Sequence, residues 1–450
     1  MVKSNVNPAF GGMLLYRFHL KIYGCQMNSH DAEKLRGALL ARRWIESSEE
    51  EADCVVYVAC SIRDKAEHKV WSELGRHEER WNAEQRPIVA VTSCIAQNVG
   101  DEMARRFPWV RVISGPRHLG DLPDALEMAC RTGDRLRLLD DDPRVVRELP
   151  VAPMARINPW KASVTISHGC DNFCTYCIVP HVRGRFASRS KEDILTDVKS
   201  LIDHGVKEVS LLGQNVDTWG LDLGPGVRFS HLLDEVASLP GLKWLRFMTS
   251  YPSDFTIDVC EVMQKHPNIC RAINLPIQAG SDRVLRAMNR RYTLEEYAAT
   301  VDLIRSFMPD VGLTSDLIVG FPGETDEEFQ ASVDALERFQ FDLVHTAAYS
   351  PRQGTPAAKM KNQVSEEEKN RRLRYINEVQ ARVALQVNQR LIGEEFDVLL
   401  DGYAPKGDYI QGRTGSDKVV LLPKGTLQPG QFVRSKIEDC TNWCLKGREA

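Results

Sequence analysis

The first third of the chain repeats one pattern three times: a short apolar run, a cysteine, then a helical stretch. Phe18-His-Leu-Lys-Ile-Tyr23 alternates with the period of two that a strand requires and stops at Gly24-Cys25-Gln-Met-Asn28. Ser29 is placed to cap a helix from His30 to Arg42. Cys54-Val-Val-Tyr-Val58 predicts a second strand ending at Cys60-Ser61, followed by a helix over Ile62–Trp71. Pro87-Ile-Val-Ala-Val-Thr92 predicts a third, ending at Ser93-Cys94, with a helix from about Ala96 to Phe107. Such alternation implies an open parallel α/β sheet, in which ligands gather beyond the carboxyl ends of the strands. Cys25, Cys60 and Cys94 would emerge together at that edge as a site of three thiols. Unrelated buried thiols are the plain alternative, and Cys54, inside a strand, and Cys130, after a helical stretch, read that way.

Residues 1–15, broken by Pro8 and Gly11-Gly12, read as a loose leader. A polar connector over residues 130–160, carrying Asp140-Asp-Asp-Pro143, Pro150, Pro153 and Pro159, marks a domain boundary. Beyond it, strands are expected at Val164–Ser167, Glu208–Leu212, Trp244–Thr249, Ala272–Leu275, Gly312–Val319 and Leu343–Tyr349, with helices between them such as Lys191–His204 and Leu294–Phe307. Six strand–helix units predict a parallel barrel or partial barrel, whose active site lies at the carboxyl ends of its strands. Ser365-Glu-Glu-Glu368 is a capping box opening a long helix to about Leu391, with Gly393 as its stop. After it, Phe396-Asp-Val-Leu-Leu400 and Lys418-Val-Val-Leu-Leu422 alternate between Gly and Pro punctuation, the pattern of a small β-barrel. The expected domains are 16–135, 156–392 and 393–446: an open parallel α/β sheet, a partial parallel (β/α) barrel and a small β-barrel.

Composition narrows the class. At 450 residues, 43% hydrophobic and 27% charged, the chain is long enough for two or three folded domains. A formal charge of −4 excludes a general polyanion coat, so any nucleic-acid site must be a local patch. Met1–Phe10 does not read as a secretory signal, and no apolar run approaches the length of a membrane span. The twelve cysteines, spread over the chain, therefore read as reduced thiols in the cytoplasm, some of them ligands.

The densest chemistry follows the first central strand. Cys170-Asp-Asn-Phe-Cys174-Thr-Tyr-Cys177 offers three soft ligands at C-x3-C-x2-C spacing, which select zinc, cuprous copper or iron–sulfur clusters. A four-iron cluster takes four ligands, so a tripod leaves one iron open. A structural zinc site with His168 or His181 as fourth ligand is the alternative. Gly213-Gln214-Asn215, Gln278-Ala-Gly-Ser-Asp282 and Gly320-Phe-Pro-Gly-Glu324 follow strands two, four and five and should converge on the same face. Glycine there lets a cofactor approach the backbone, or simply forms turns. Arg183, Arg185 and Arg189 could meet a carboxylate or phosphate, or form a solvated basic loop. The same two readings apply to Arg371, Arg372, Arg374, Arg382 and Arg390 on the long helix.

The cysteine loop, with Tyr176 before its last thiol, resembles the radical S-adenosylmethionine (SAM) enzymes. His168-Gly-Cys-Asp-Asn-Phe-Cys-Thr-Tyr-Cys-Ile-Val-Pro-His-Val-Arg-Gly-Arg185 narrows this to the methylthiotransferase family. Tyr23-Gly-Cys-Gln-Met-Asn28, Cys60-Ser-Ile-Arg-Asp-Lys-Ala66 and Ser93-Cys-Ile-Ala-Gln97 resemble the family's amino-terminal domain. Val58-Ala59 departs from its usual Asn-Thr, and Gly213-Gln214-Asn215 from the superfamily's commoner Gly-Gly-Glu. The last domain resembles TRAM, an RNA-binding barrel. Its residues 391–450 hold eight Lys/Arg against nine Asp/Glu, so Tyr403, Tyr409, Phe432 and Trp443 would stack on bases or belong to the core. Cys440 and Cys444 read as structural.

The resemblance implies two 4Fe-4S clusters, one on Cys170, Cys174 and Cys177 with exchangeable SAM, and an auxiliary one on Cys25, Cys60 and Cys94. Tyr176, Gly213, Gln214, Ser281 and Gly320 fall at positions that contact SAM in the superfamily. It also implies reductive cleavage of one SAM to a 5′-deoxyadenosyl radical, a second SAM as methyl donor, and no side chain acting as acid or base. The motifs around Cys25 and Cys60 look most like the isopentenyladenosine branch, which methylthiolates the adenine beside the tRNA anticodon. Sister branches act on threonylcarbamoyladenosine in tRNA or on a ribosomal-protein aspartate. A non-enzymatic iron–sulfur or zinc protein that binds RNA is the reading from another class. Expected partners are the anticodon stem-loop of tRNA, an electron donor such as a flavodoxin or ferredoxin, and a sulfur source. The expected form is a monomer with no membrane association.

Overall fold

The computed structural model describes residues 15–61, 64–139, 146–405 and 407–450. Most of the expected leader, Ile62-Arg63 and Asp140–Pro143 lie outside the described residues. The chain divides into two compact units, residues 1–155 and 156–450.

The first unit is built on β1 (Arg17–Tyr23), β2 (Ile45–Glu46), β3 (Cys54–Ala59), β4 (Ile88–Thr92), β5 (Val110–Ser114) and β6 (Leu136–Leu138). They form one six-stranded sheet in the order β2-β1-β3-β4-β5-β6, every neighbouring pair parallel. Helices α1 (Gln26–Ala41), α2 (Asp64–Leu74), α3 (Glu78–Glu84), α4 (Cys94–Arg106) and α5 (Leu122–Thr132) connect them. The expected three strands are the adjacent β1, β3 and β4. Every residue of β3 and β4 is buried, as central strands covered on both faces require. Helix α1 begins at Gln26 rather than after Ser29, because Cys25 is the extended N-cap residue. Cys130 lies inside α5 and hydrogen-bonds the buried Cys54, so this pair is part of the core. Strand β6 and the Lys34–Glu148 ion pair draw part of the expected connector into the unit.

The second unit opens with β7 (Lys161–Thr165), β10 (Glu208–Leu212) and β11 (Trp244–Phe247), a parallel sheet in the order β11-β10-β7. Its other half is β12 (Ala272–Asn274), β13 (Gly312–Val319) and β14 (Leu343–Ala348), parallel in that order. A parallel bridge from Leu245 to Ile269 joins the halves into the expected six-stranded partial barrel. Between strands run α7 (Lys191–Asp203), α8 (Phe229–Ala237), α9 (Ile257–Lys265), α10 (Asp282–Ala287), α11 (Leu294–Phe307) and α12 (Asp326–Phe339). After β7 come the short antiparallel pair β8 (Ser167–His168) and β9 (Ala187–Ser188), with the single turn α6 (Val179–Val182) between them.

Helix α13 (Glu366–Gln389) follows, 24 residues and so about 36 Å long. Ser365 accepts the Glu368 N–H as expected, but the return half of the capping box is not made. The Glu368 carboxylate instead meets Arg371 and Arg372. Strands β15 (Glu395–Tyr403), β16 (Tyr409–Thr414), β17 (Val419–Pro423), β18 (Phe432–Cys440) and β19 (Leu445–Glu449) then close into a barrel in the order β15-β16-β17-β19-β18. Val398, Leu400, Ile410, Val420, Leu422, Ile437 and Leu445 fill it.

The closed barrel is seated on the amino-terminal ends of the partial-barrel strands. Lys161, first in β7, pairs with Asp401 at 2.9 Å; Phe432 packs edge-on against Trp244, first in β11, with ring centroids 4.9 Å apart. A Cβ added to Gly312, first in β13, would come within 2.2 Å of the Ser416 carbonyl oxygen. Lys418 reaches Asp342, just before β14, at 2.6 Å. The TRAM-like barrel and the carboxyl-terminal face of the core therefore lie at opposite ends of the strands.

Candidate metal and cofactor centres

In the first unit, β1, β3 and β4 are neighbours, and each ends within two residues of a cysteine. Tyr23 pairs with Ala59 and Val58 with Thr92, so Cys25, Cys60 and Cys94 emerge side by side at one sheet edge. Gly24 is required by this approach: a Cβ there would meet Cys60 Cβ at 2.4 Å, and its φ is +134°. Asn28 ties two of the loops together, accepting from Cys25 Sγ at 3.1 Å and donating to Ser93 Oγ at 3.4 Å. Ser93, immediately before Cys94, holds φ +74° and ψ −155°, a glycine-favouring conformation for which a non-glycine residue is strained. Helices α1 and α4 start at Gln26 and Cys94, so their positive ends favour thiolate at this edge. The departing Val58-Ala59 pair is fully buried and apolar.

In the second unit the Cys170–Cys177 loop leaves the end of the first barrel strand. Gly169, φ +69°, crosses so close to the Gly184 and Arg185 carbonyls that a Cβ would reach 2.4 and 2.2 Å. Asp171 grips Arg185 at 2.8 Å and accepts the Phe186 N–H at 3.1 Å, while Arg185 stacks over Phe173. Arg189 is held by Asp197 and the Thr165 carbonyl. Two of the three arginines after the loop thus meet carboxylates of this chain, and Arg183 is buried.

The other side of the loop is held by a segment that the sequence reading did not single out, Ala287–Arg291. Thr175 donates its N–H to Met288 O and its hydroxyl to Ala287 O. Asn289, at φ +58°, donates to the Asn172 and Phe173 carbonyls at 3.3 and 3.0 Å. Arg291 reaches Asp171 O and Asn172 Oδ1. Arg290 donates to Cys174 Sγ at 3.6 Å. Ala357, the residue after the Tyr349–Pro356 string that resembles the family's sixth-strand segment, also touches the loop, donating its N–H to Thr175 O.

Burial raises the Cys170 and Cys177 thiols, Cys177 to about 12, and the neighbouring thiols push both further up. Left as thiols they are inert; as thiolates they need positive charge, which metal would supply. Among the described residues no three His, Cys, Asp or Glu side chains are grouped to hold a single metal ion, and His181 is exposed. Neither the buried His168 nor His181 is grouped with the three thiols as a single-metal site.

Four strand ends bury polar oxygens that lack a hydrogen-bond partner among the described residues: Ser167 Oγ, Asn215 Oδ1, Gln278 Oε1 and Glu324 Oε1. Each such atom costs about 1–3 kcal/mol unless a ligand supplies a donor. Asn215 and Asp254, joined at 2.6 Å, border a cavity of about 340 Å³ that Cys170, Asn172 and Arg291 also line. Of the four, Asn215 lines this cavity, where its oxygen would accept an N–H or O–H of an amino acid–nucleoside ligand. Of the expected cofactor contacts, Gly213 lies against Ser167, and Gln214 is half-buried beside it. Tyr176 is half-buried within electrostatic reach of Cys174 and Cys177. Ser281 is already engaged as the α10 cap and as donor to Glu328, and Gly320 admits Lys369 of α13.

Comparison with known proteins decides the family. Residues 17–115 match the "Uncharacterized protein family UPF0004", residues 164–336 the radical SAM superfamily and residues 389–448 the TRAM domain. The tRNA-2-methylthio-N(6)-dimethylallyladenosine synthase of Moorella thermoacetica is 39% identical over 435 residues, 96% of this chain and 97% of that one. That of Acetivibrio thermocellus is 40% identical over 433 residues, 95% and 90% of the two chains. This chain belongs to that radical SAM family. Among solved structures, the radical SAM methyltransferase TsrM of Kitasatospora setae, with cobalamin and a [4Fe-4S] cluster bound, superposes with a TM-score of 0.56. It is 14% identical, over 77% of this chain and 74% of that one, and so shares the fold. The cobalamin-dependent enzyme OxsB gives 0.54 at 12% identity, over 82% and 56%. Family membership brings SAM and a 4Fe-4S cluster. No helix among the described residues is long and apolar enough to cross a membrane.

Proposed function

We propose that the protein is a tRNA methylthiotransferase that adds a 2-methylthio group to N6-isopentenyladenosine beside the anticodon. What carries the reading is one correspondence: two sets of three cysteines at strand ends, in a chain matched over 96% of its length by synthases of that modification. Cys170, Cys174 and Cys177 would hold the cluster that binds SAM, and Cys25, Cys60 and Cys94 an auxiliary one. The working domains are 16–135, 156–392 and 393–446. When bound, clusters and SAM supply the radical that opens the carbon–hydrogen bond and the methylthio group that replaces the hydrogen.

The chain's own part is positional. Gly169, Asn289 and Arg291 shape the cysteine loop; Asn215, Gln278 and Glu324 would offer buried acceptors, and Asp254 a half-buried one, to the bound nucleoside and amino-acid groups. No side chain is needed as acid or base. The barrel would hold tRNA, with Tyr403, Tyr409 and Trp443 exposed for stacking. Arg371, Arg372 and Arg382 of α13 and Arg390 at its C-cap are engaged within the chain, leaving the exposed Arg374 as the helix's remaining candidate, which favours the barrel as the RNA contact. A one-electron carrier such as a flavodoxin or ferredoxin, a sulfur source, a cytoplasmic setting and a monomeric state belong to the same reading. Nucleoside mass spectrometry of tRNA from cells lacking the protein tests it: 2-methylthio-N6-isopentenyladenosine should vanish and its unthiolated precursor accumulate.

A further inference from the structure

We propose that Arg290 is the counter-charge of the Cys170, Cys174 and Cys177 centre and sets how readily that centre accepts an electron. The inference rests on reading these thiols as cluster ligands.

Arg290 is 8% exposed, yet it makes no ion pair with a carboxylate among the described residues. Its guanidinium donates to Cys174 Sγ at 3.6 Å, to the Tyr292 hydroxyl at 2.9 Å and to the Pro276 carbonyl at 3.0 Å. Tyr251 and Tyr292 rings lie 4.2 and 5.0 Å from its charge centre. Tyr292 is fixed in turn by hydrogen bonds to the Pro276 and Ile277 carbonyls. Asp254 feels this charge but lies outside ion-pair range. Burying an unpaired cation costs several kcal/mol, so the site calls for an anion that the carboxylates do not provide. Cys174 sulfur, held as a metal-bound thiolate, is that anion.

Reduction adds one electron from an external low-potential carrier to the centre and moves no proton. The centre becomes one unit more negative beside a fixed positive charge in a dry site. A cation and a hydrogen bond to ligand sulfur both stabilise the reduced state and raise the potential. Arg290 acts through Cys174, so it is a positioning residue.

The test uses the full chain carrying Cys25→Ala, Cys60→Ala and Cys94→Ala, leaving one centre. The protein is reconstituted anaerobically and titrated with dithionite through mediators, with the reduced state read by electron paramagnetic resonance. At the parent's midpoint, Arg290→Met should lower the ratio of reduced to oxidised centre at least tenfold, a fall of 59 mV or more for one electron. Arg290→Lys, keeping charge without the fork, should lower it less; Arg290→Gln, keeping a donor without charge, should follow Met. Equal potentials at equal iron content would overturn the proposal. Should Arg290→Met retain no iron, the order of the other two decides, and a Gln variant no lower than Lys overturns it. A parent without iron would instead overturn the assignment of the three thiols.

Discussion

Arg246 donates to the Glu208 carboxylate at 3.0 Å and, with the same guanidinium, to the Thr414 and Gly415 carbonyls at 2.7 and 3.2 Å. One buried fork thus locks two core strands to the closed barrel, and both side chains are 6% exposed. Removing one partner of such a pair leaves the other charge uncompensated, at about 3–5 kcal/mol. Arg246→Met should lower the thermal midpoint of the full chain clearly, while Arg434→Met, at an exposed pair, should leave it nearly unchanged. Equal midpoints would show that the fork does not join the two parts. A chain cut near Gly393 is consequently expected to lose core stability as well as RNA affinity.

The barrel's outer aromatics supply a cleaner probe. Tyr403 and Tyr409 lie at the paired ends of β15 and β16, and Lys424 stands 4.8 Å over the Tyr403 ring. Stacking on a base is worth about 1–3 kcal/mol per ring. Tyr403→Ala and Tyr409→Ala should each weaken tRNA binding roughly 5- to 150-fold on that basis, leaving substrate-free SAM cleavage intact. Filter binding and a 5′-deoxyadenosine assay read the two effects. Undiminished affinity in the double variant would move the RNA contact off this face.

Asp217 should make stability fall as pH rises. Burial lifts its carboxyl from 3.8 to about 7, and nearby Asp254 adds to this; Ser250 Oγ and Tyr251 N–H donate to it. Between those values the folded chain keeps a proton that the unfolded chain releases, so stability declines through that window and levels above pH 7. Asn keeps one acceptor there: Oδ1 takes the Tyr251 N–H, and Nδ2 donates to a turned Ser250 hydroxyl, with no charge to bury. Asp217→Asn should gain on the parent by up to about 1.4 kcal/mol per pH unit from pH 5 to 7, then hold a constant lead. Parallel thermal midpoints from pH 5 to 8 would contradict this.

Substrate choice follows from the chemistry of the prenyl group. Each buried methylene is worth about 0.8 kcal/mol, so a dry pocket favours isopentenyladenosine over unmodified adenosine by several kcal/mol. Threonylcarbamoyladenosine would bring a carboxylate needing solvation or a partner. Side-by-side assays on tRNAs carrying the three adenosines, read by nucleoside mass, should rank the prenylated form first by at least tenfold. Preference for the threonylcarbamoyl form would transfer the protein to the sister branch.

Much of the scaffold was legible because its strands are short runs rich in apolar and β-branched residues, set between helices with marked ends. Glu208–Leu212, Gly312–Val319 and Leu294–Phe307 coincide with the elements their patterns predict. Short strands such as β2 and β6 carry two and three residues, too few for any period to register. Helix α1 starts at Gln26 because the carbonyl of Cys25, not the Ser29 side chain, opens it. Ala287–Arg291 was missed for a different reason. Its grip on the cysteine loop is made across more than a hundred residues of sequence, through carbonyls and a sulfur that no local pattern records. The signal available was Met288-Asn-Arg-Arg-Tyr292, a polar turn leading to the Thr293 cap. Ser281 shows the converse: a motif position whose hydroxyl is occupied by its own helix.

The most direct test separates the two sets of thiols. Anaerobically reconstituted wild-type protein should hold about eight irons, from two four-iron clusters. With Cys170, Cys174 and Cys177 replaced by Ala, about four irons should remain and reductive SAM cleavage should cease. With Cys25, Cys60 and Cys94 replaced instead, about four irons and SAM cleavage should persist while methylthiolation of tRNA is lost. Cleavage of SAM by the first triple variant would contradict the account.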